Sequence, residues 1–155
     1  MVRYLYLHKV GGVYIDLDFA CLAPFGDLFE GKEKFLVASQ FPDRIDYANA
    51  FMASPPSHSI LAKLMDNLEA NKKKQVLAAT GPSFLSGILK TSGPEGWEKL
   101  PMRRIYFQSW REHLCNTLEN CKKINSKKNW NGILVSFWTA TWDKKRGKSK
   151  AMNDE

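Results

Sequence analysis

Apolar and polar positions along this chain switch between a helical and a strand period, and the switches mark its elements. Residues 2–9 carry apolar and aromatic side chains densely and read as a helix packed on a core, with Gly11-Gly12 as its stop. Residues 13–16 read as a buried strand. Pro24 ends any regular element, and residues 25–29 read as a turn with apolar anchors. Residues 35–39 make a second strand, 40–46 a polar loop, and 47–54 a third strand that Pro55-Pro56 breaks. Ile60, Leu61, Leu64, Met65 and Leu68 recur at helical spacing and predict a helix capped by Ser57 or Ser59. His58 beside that start reads as a surface or capping residue rather than a metal ligand. Residues 78–83 open a further helix, with Pro82 suited to its first position and Phe84, Leu85, Ile88 and Leu89 on its buried face. Residues 92–96 are a loop and 104–107 a short strand. Residues 110–123 are a helix or a mixed segment, 122–131 a polar and basic surface stretch, and 133–138 a strand.

The length of 155 residues suits one domain, and a hydrophobic content of 44% with nine Phe and five Trp supplies a real core. No run approaches the ~18–20 apolar residues that span a bilayer. Met1 followed at once by Arg3 does not read as a signal peptide. The chain as given is therefore expected to be soluble, without an address or an anchor. Its net charge of +7 is local: nine basic residues and one acidic residue lie between Lys122 and Lys150, and the body is close to neutral. That places a core over 1–143 and a basic, disordered tail over 144–155. The tail offers a weak electrostatic attraction to phosphates or anionic membrane surfaces. Trp130, Trp138 and Trp142, interleaved with lysines, could stack bases. No nucleic-acid-binding motif accompanies them, so no specific nucleic acid partner is expected. Cys21, Cys115 and Cys121 form no metal-type pair; free buried thiols are expected, and a Cys115–Cys121 pairing depends on local geometry.

The chemistry concentrates at Asp16 and Asp18, two residues apart after an apolar run. On a strand, residues i and i+2 share a face about 6–7 Å apart. Both carboxylates could then point at one hard divalent cation carrying a diphosphate. Asp-x-Asp is common, and a solvated strand end is the simpler reading of the spacing alone.

The surroundings of the pair change the picture. Arg3-Tyr4, a hydrophobic helix, Gly11-Gly12, the aromatic Tyr14 and Asp16-Leu17-Asp18 resemble the signature of sugar transferases with the DXD motif. That family includes initiation-specific α-1,6-mannosyltransferases and inositol-phosphoceramide mannosyltransferases. Asn49 through His58, Thr80-Gly81-Pro82 and Thr139-Ala140-Thr141-Trp142 resemble further family blocks, in the same order. The resemblance implies an α/β fold of GT-A-like (Rossmann-like) type, a mixed sheet flanked by helices. Since the chain starts at the first of these helices, the N-terminal nucleotide-binding βα units are not expected in it.

The resemblance further implies a metal-dependent, retaining transfer of a sugar, mannose first among them, from a GDP- or UDP-sugar to a hydroxyl of a glycan or glycolipid. Asp16 and Asp18 would hold Mn²⁺ or Mg²⁺, Asp18 directly, while Asp16 would rather meet ribose or sugar hydroxyls. Asn49, with Asp46, would line the sugar-acceptor side. Arg3, Tyr14, Asp16, Thr141 and Trp142 would contact the nucleotide-sugar, the last two closing over its diphosphate. The family's usual setting is the Golgi or another endomembrane. A family histidine before the Ser/Thr-Trp block is replaced here by Ser136, Phe137 and Trp138, leaving Ser136, Thr141 or water as the third metal ligand. A catalytically inactive or fragmentary glycosyltransferase-like domain is the alternative.

Overall fold

The computed structural model describes residues 2–29, 33–41, 47–109, 111–112 and 114–137. Asp46, Trp138, Thr141, Trp142 and the tail 144–155 lie outside them.

Helix α1, Val2–Val10, turns Tyr4 and Leu7 into the core and ends at Gly11. The Gly11 N–H donates to the Leu7 carbonyl at 2.8 Å from a backbone at φ +71°, the left-handed stop that glycine favours. Strand β1, Gly12–Ile15, follows, then β2, Phe19–Cys21, β3, Phe35–Ser39, and β4, Tyr47–Ser54. Helix α2 covers Ser59–Asp66, and the short helices α3, Leu68–Asn71, and α4, Val76–Ala79, lead to α5, Pro82–Lys90. The remainder is β5, Trp97–Leu100, α6, Met102–Ile105, α7, Leu118–Lys128, and β6, Leu134–Ser136.

One sheet runs in the order β1-β4-β3-β5. It is antiparallel except for the parallel pair β3–β5, and β2 and β6 form a separate antiparallel pair. The expected mixed α/β architecture is thus present. Along β3, Phe35 and Val37 face α1, α2 and α5, whereas Leu36 and Ala38 face α6 and the β2–β6 pair. A strand buried on both faces reads as a continuous apolar run, and residues 35–38 are one. Behind the small pair, α7 closes a third cluster of Phe107, Cys115, Cys121 and Val135. No helix among the described residues is long and apolar enough to cross a membrane.

The structure corrects several local expectations. Residues 104–107 are not a strand: Met102, Ile105 and Tyr106 are buried at helical spacing after Pro101, and the chain leaves the turn through Phe107 at φ +57°. Strand β5 carries polar Glu98 and Lys99 and is held by its parallel pairing with β3, a long-range contact that its composition does not announce. The helix near 110–123 starts later, at Leu118. Thr117 caps it by accepting from the Asn120 N–H at 3.3 Å, and it runs through the basic stretch to a left-handed Asn129. Helix α2 is capped by His58, whose Nδ1 accepts from the Ile60 N–H at 3.2 Å, and not by either serine. Cys115 and Cys121 are joined in a disulfide, with Cα atoms 5.2 Å apart, and Cys21 is a free, exposed thiol rather than a buried one.

Candidate active site around the Asp16–Asp18 turn

β1 ends one residue before the first carboxylate. The Asp16 N–H donates to the Ala50 carbonyl at 2.9 Å as the last rung toward β4. The chain then turns, the Phe19 N–H meeting the Asp16 carbonyl at 3.3 Å, and enters β2. Asp16 and Asp18 therefore straddle a turn between two sheets rather than one strand face. The chain has to leave the large sheet to reach β6, where the Phe137 N–H donates to the Asp18 carbonyl at 3.0 Å. Leu17 is fully exposed at the tip, with a half-buried carboxylate on either side. The two acids still serve one region. Burial first, then the charge of Asp16 and, more weakly, that of Asp18 push the Tyr106 phenol well above its usual range. Both charges are thus within electrostatic reach of a single hydroxyl.

Three residues, one each from α1, β1 and β4, converge beside Asp16. Tyr14, two residues back along the chain, donates its hydroxyl to Asp16 Oδ1 at 2.6 Å. Arg3, in the first turn of α1, donates Nη1 to the same oxygen at 3.2 Å and to the Asn49 carbonyl at 2.7 Å. Its guanidinium also stands 4.7 Å over the Tyr14 ring, a cation–π contact. Asn49 is buried, and its Nδ2 donates to the Thr80 carbonyl at 2.9 Å and to the Tyr4 hydroxyl at 3.3 Å. The register of β4 shifts between its pairing with Val37 and that with Ser39, and Asn49 lies in the shifted stretch. Such an irregularity re-aims backbone groups, and here the Asn49 carbonyl meets Arg3.

Arg3, Tyr14, Asp16 and Asn49, all chosen from the sequence, are therefore brought together. Thr141, Trp142 and Asp46 lie outside the described residues. Ser136 is fully buried in β6, opposite Phe19. Tyr4, Thr80 and Tyr106 were not singled out as functional. Tyr4 sits inside the Arg-Tyr pair and Thr80 inside Thr-Gly-Pro, so the motifs themselves were the available signal.

Among the described residues, no group of three or more His, Cys, Asp or Glu side chains is placed to hold a metal ion. The donor chemistry fits a cation in part. Carboxylates suit Mg²⁺ or Mn²⁺, ions that keep water and substrate phosphates in their shell. Asp16 Oδ1 is already taken by Arg3 and Tyr14. A largely apolar hollow of 250 Å³, lined by Gly12, Val13, Phe29, Lys34, Leu36, Ser54 and Pro55, opens at the other end of β1 and does not include the carboxylates. Trp130 is engaged by Phe107, edge to face at 5.3 Å, and by Arg103 at 4.7 Å, so its ring is not open for stacking bases.

Residues 1–40 match the glycosyltransferase sugar-binding region containing the DXD motif. The chain is 37% identical over 90 residues to inositol phosphoceramide mannosyltransferase 1 of Schizosaccharomyces pombe, covering 54% of this chain and 27% of that protein. It is 26% identical over 144 residues to inositol phosphoceramide mannosyltransferase 2 of the same yeast, covering 89% of this chain and 38% of that one. A mannosyl phosphorylinositol ceramide synthase of Saccharomyces cerevisiae is 30% identical over 95 residues, covering 57% and 24%. The resemblance read from Arg3 to Asp18 is thereby found. The chain spans between about a quarter and two-fifths of the length of these relatives. Among solved structures, the PaToxG glycosyltransferase overlaps 58% of this chain and 32% of its own, at 24% identity and a TM-score of 0.48.

Proposed function

We propose that this chain carries the donor-side catalytic core of a metal-dependent glycosyltransferase. It would move a sugar, mannose first among the candidates, from a nucleoside diphosphate sugar to a hydroxyl of a glycan or glycolipid, with retention at the anomeric carbon. The observation that carries this reading is the convergence of Arg3, Tyr14 and Asn49 on the Asp16–Asp18 turn, within the segment that matches the DXD region.

The physical problem in such a transfer is the departure of a diphosphate with its negative charge. Asp18, with Asp16 beside it, would hold a Mn²⁺ or Mg²⁺ ion, which would supply a counter-charge for that leaving group. The chain's own residues set the stage. Arg3 and Tyr14 fix one oxygen of Asp16, so the other is free to be aimed at ribose or sugar hydroxyls. The buried amide of Asn49 offers its Oδ1 as an acceptor for a sugar hydroxyl. Thr141 and Trp142 would cover the diphosphate, and the Golgi or a related endomembrane would be the setting.

A panel of GDP- and UDP-sugars, incubated with the chain and Mn²⁺, tests this by release of the nucleoside diphosphate. Release from one donor, lost with EDTA and lowered at least about a hundredfold by Asp18→Ala, supports it. Release that survives both removes the metal role. A second reading is that of a catalytically inactive glycosyltransferase-like domain, since among the described residues no group of three or more His, Cys, Asp or Glu side chains is placed to hold a metal ion. Cooperative unfolding without any binding of nucleotide-sugar would support it.

A further inference from the structure

The Asn49 amide can face in two ways, and its two ends do opposite chemistry: nitrogen donates, oxygen accepts. In this fold the choice is forced. The Thr80 carbonyl can only accept. It receives the Tyr4 hydroxyl at 2.8 Å and Asn49 Nδ2 at 2.9 Å. With its own proton given to Thr80, the Tyr4 oxygen is left to accept, and Asn49 Nδ2 reaches it at 3.3 Å. Both hydrogens of the amide nitrogen are thereby used inside the protein. Among the described residues, no donor meets Asn49 Oδ1.

The surrounding fold holds these partners rigidly. Tyr4 is fully buried, and burial is the main cause that raises its pKa, so it stays a protonated donor through the physiological range. The Thr80 carbonyl is set by a tight passage from α4 into α5. A Cβ on Gly81 would come within 2.8 Å of the Leu77 Cα, and Pro82 begins the next helix without an N–H to compete. Meanwhile Arg3, the neighbour of Tyr4 on α1, grips the backbone carbonyl of the same asparagine. The adjacent residues Arg3 and Tyr4 thus hold Asn49 at its main chain and at its side chain.

We propose that Tyr4, with the Thr80 carbonyl, is a positioning residue that locks the Asn49 amide with its nitrogen inward. Asn49 then presents an acceptor only, and the site selects a ligand that offers a hydroxyl donor there. This rests on the transferase reading for what the ligand is, but the locked amide is a property of the chain itself. The same geometry disfavours aspartate at this position. An aspartate would set a carboxylate oxygen against the Thr80 carbonyl, acceptor against acceptor.

The test uses the full chain and four variants: Tyr4→Phe, Asn49→Ala, Asn49→Asp and the double variant Tyr4→Phe/Asn49→Ala. In a ¹H–¹⁵N spectrum, the two Asn49 side-chain protons should be well separated and slow to exchange in the parent protein. Tyr4→Phe should move them toward the averaged position of an exposed amide while the backbone spectrum stays folded. Unchanged Asn49 amide signals in Tyr4→Phe would overturn the proposal, whatever the activity.

The second readout is GDP release from GDP-mannose with Mn²⁺. Tyr4→Phe should lower kcat/KM about tenfold in the parent and less than about twofold in the Asn49→Ala background, because the two residues act as one unit. Asn49→Asp should lose at least as much as Asn49→Ala, although it retains an acceptor. Equal losses from Tyr4→Phe in both backgrounds would mean that Tyr4 only supports the fold, and would also overturn the proposal. Absence of turnover in the parent would count against the transferase reading, and the amide spectrum would still decide the orientation.

Discussion

Tyr14 donates its hydroxyl at 2.6 Å to the same Asp16 oxygen that Arg3 holds at 3.2 Å. A phenol and a guanidinium on one carboxylate oxygen make that acid a fixed acceptor rather than a mobile surface charge. The arrangement has a pH signature. Burial first, and then the bond to Asp16, push the Tyr14 phenol up to about 12, against an ordinary value of 10.0. The folded state therefore holds this proton more tightly than the unfolded chain does. The resulting stability is fully present below about pH 10 and is lost as pH rises from about 10 through 12. Urea midpoints measured from pH 8 to 12 should fall across that window. Tyr14→Phe should flatten part of the fall, the rest belonging to the other buried tyrosines, and should destabilise the protein at pH 8 by about 1 kcal/mol.

The glycines at the α1–β1 junction separate two kinds of cost. Gly11 and Gly12 both have positive φ, +71° and +93°. A Cβ on Gly11 would lie 2.8 Å from the Pro56 ring, whereas one on Gly12 would meet nothing within 4 Å. Gly12→Ala should thus cost about 1 kcal/mol of backbone strain, and Gly11→Ala clearly more, since Pro56 must also move. Equal costs in chemical denaturation would mean that the Pro56 contact does not hold in solution.

The Cys115–Cys121 bridge closes a short loop that Gln108 pins from behind. Gln108 accepts from the N–H groups of Leu114 and Cys115 and donates to the Cys115 carbonyl. Closing a loop of this size is worth about 2 kcal/mol by the chain-entropy account. Reduction, or a double change to serine, should lower the melting temperature by several degrees. Thiol titration of the native, unreduced chain should find Cys21 alone reactive.

How much of this was legible in the sequence depends on what holds each element. Helices α2 and α5 and strands β3 and β4 follow from apolar stripes that need no partner to be recognised, such as Ile60, Leu61 and Leu64 on α2. Strands β2 and β5 are short, and β5 is partly polar. They exist because β6 and β3 lie alongside, which no local pattern records. In the site, Arg3, Tyr14, Asp16 and Asn49 were visible as a motif. The turn that separates Asp18 from β1 was hidden, because a spacing of two is equally compatible with a strand face. Tyr4 reads as an ordinary core aromatic, and the Thr80 group that matters is a backbone carbonyl, an atom that every residue has.

The central claim is that Asp18 draws a cation and a nucleoside diphosphate to this turn. The most direct measurement is calorimetric titration of GDP and of UDP into the chain with Mn²⁺, with EDTA, and into the Asp18→Ala variant, whose fold is checked by its melting temperature. The account predicts saturable binding of at least one nucleotide with Mn²⁺, lost with EDTA and weakened at least about tenfold in folded Asp18→Ala. Equal binding in all three conditions, or none in any, would contradict it.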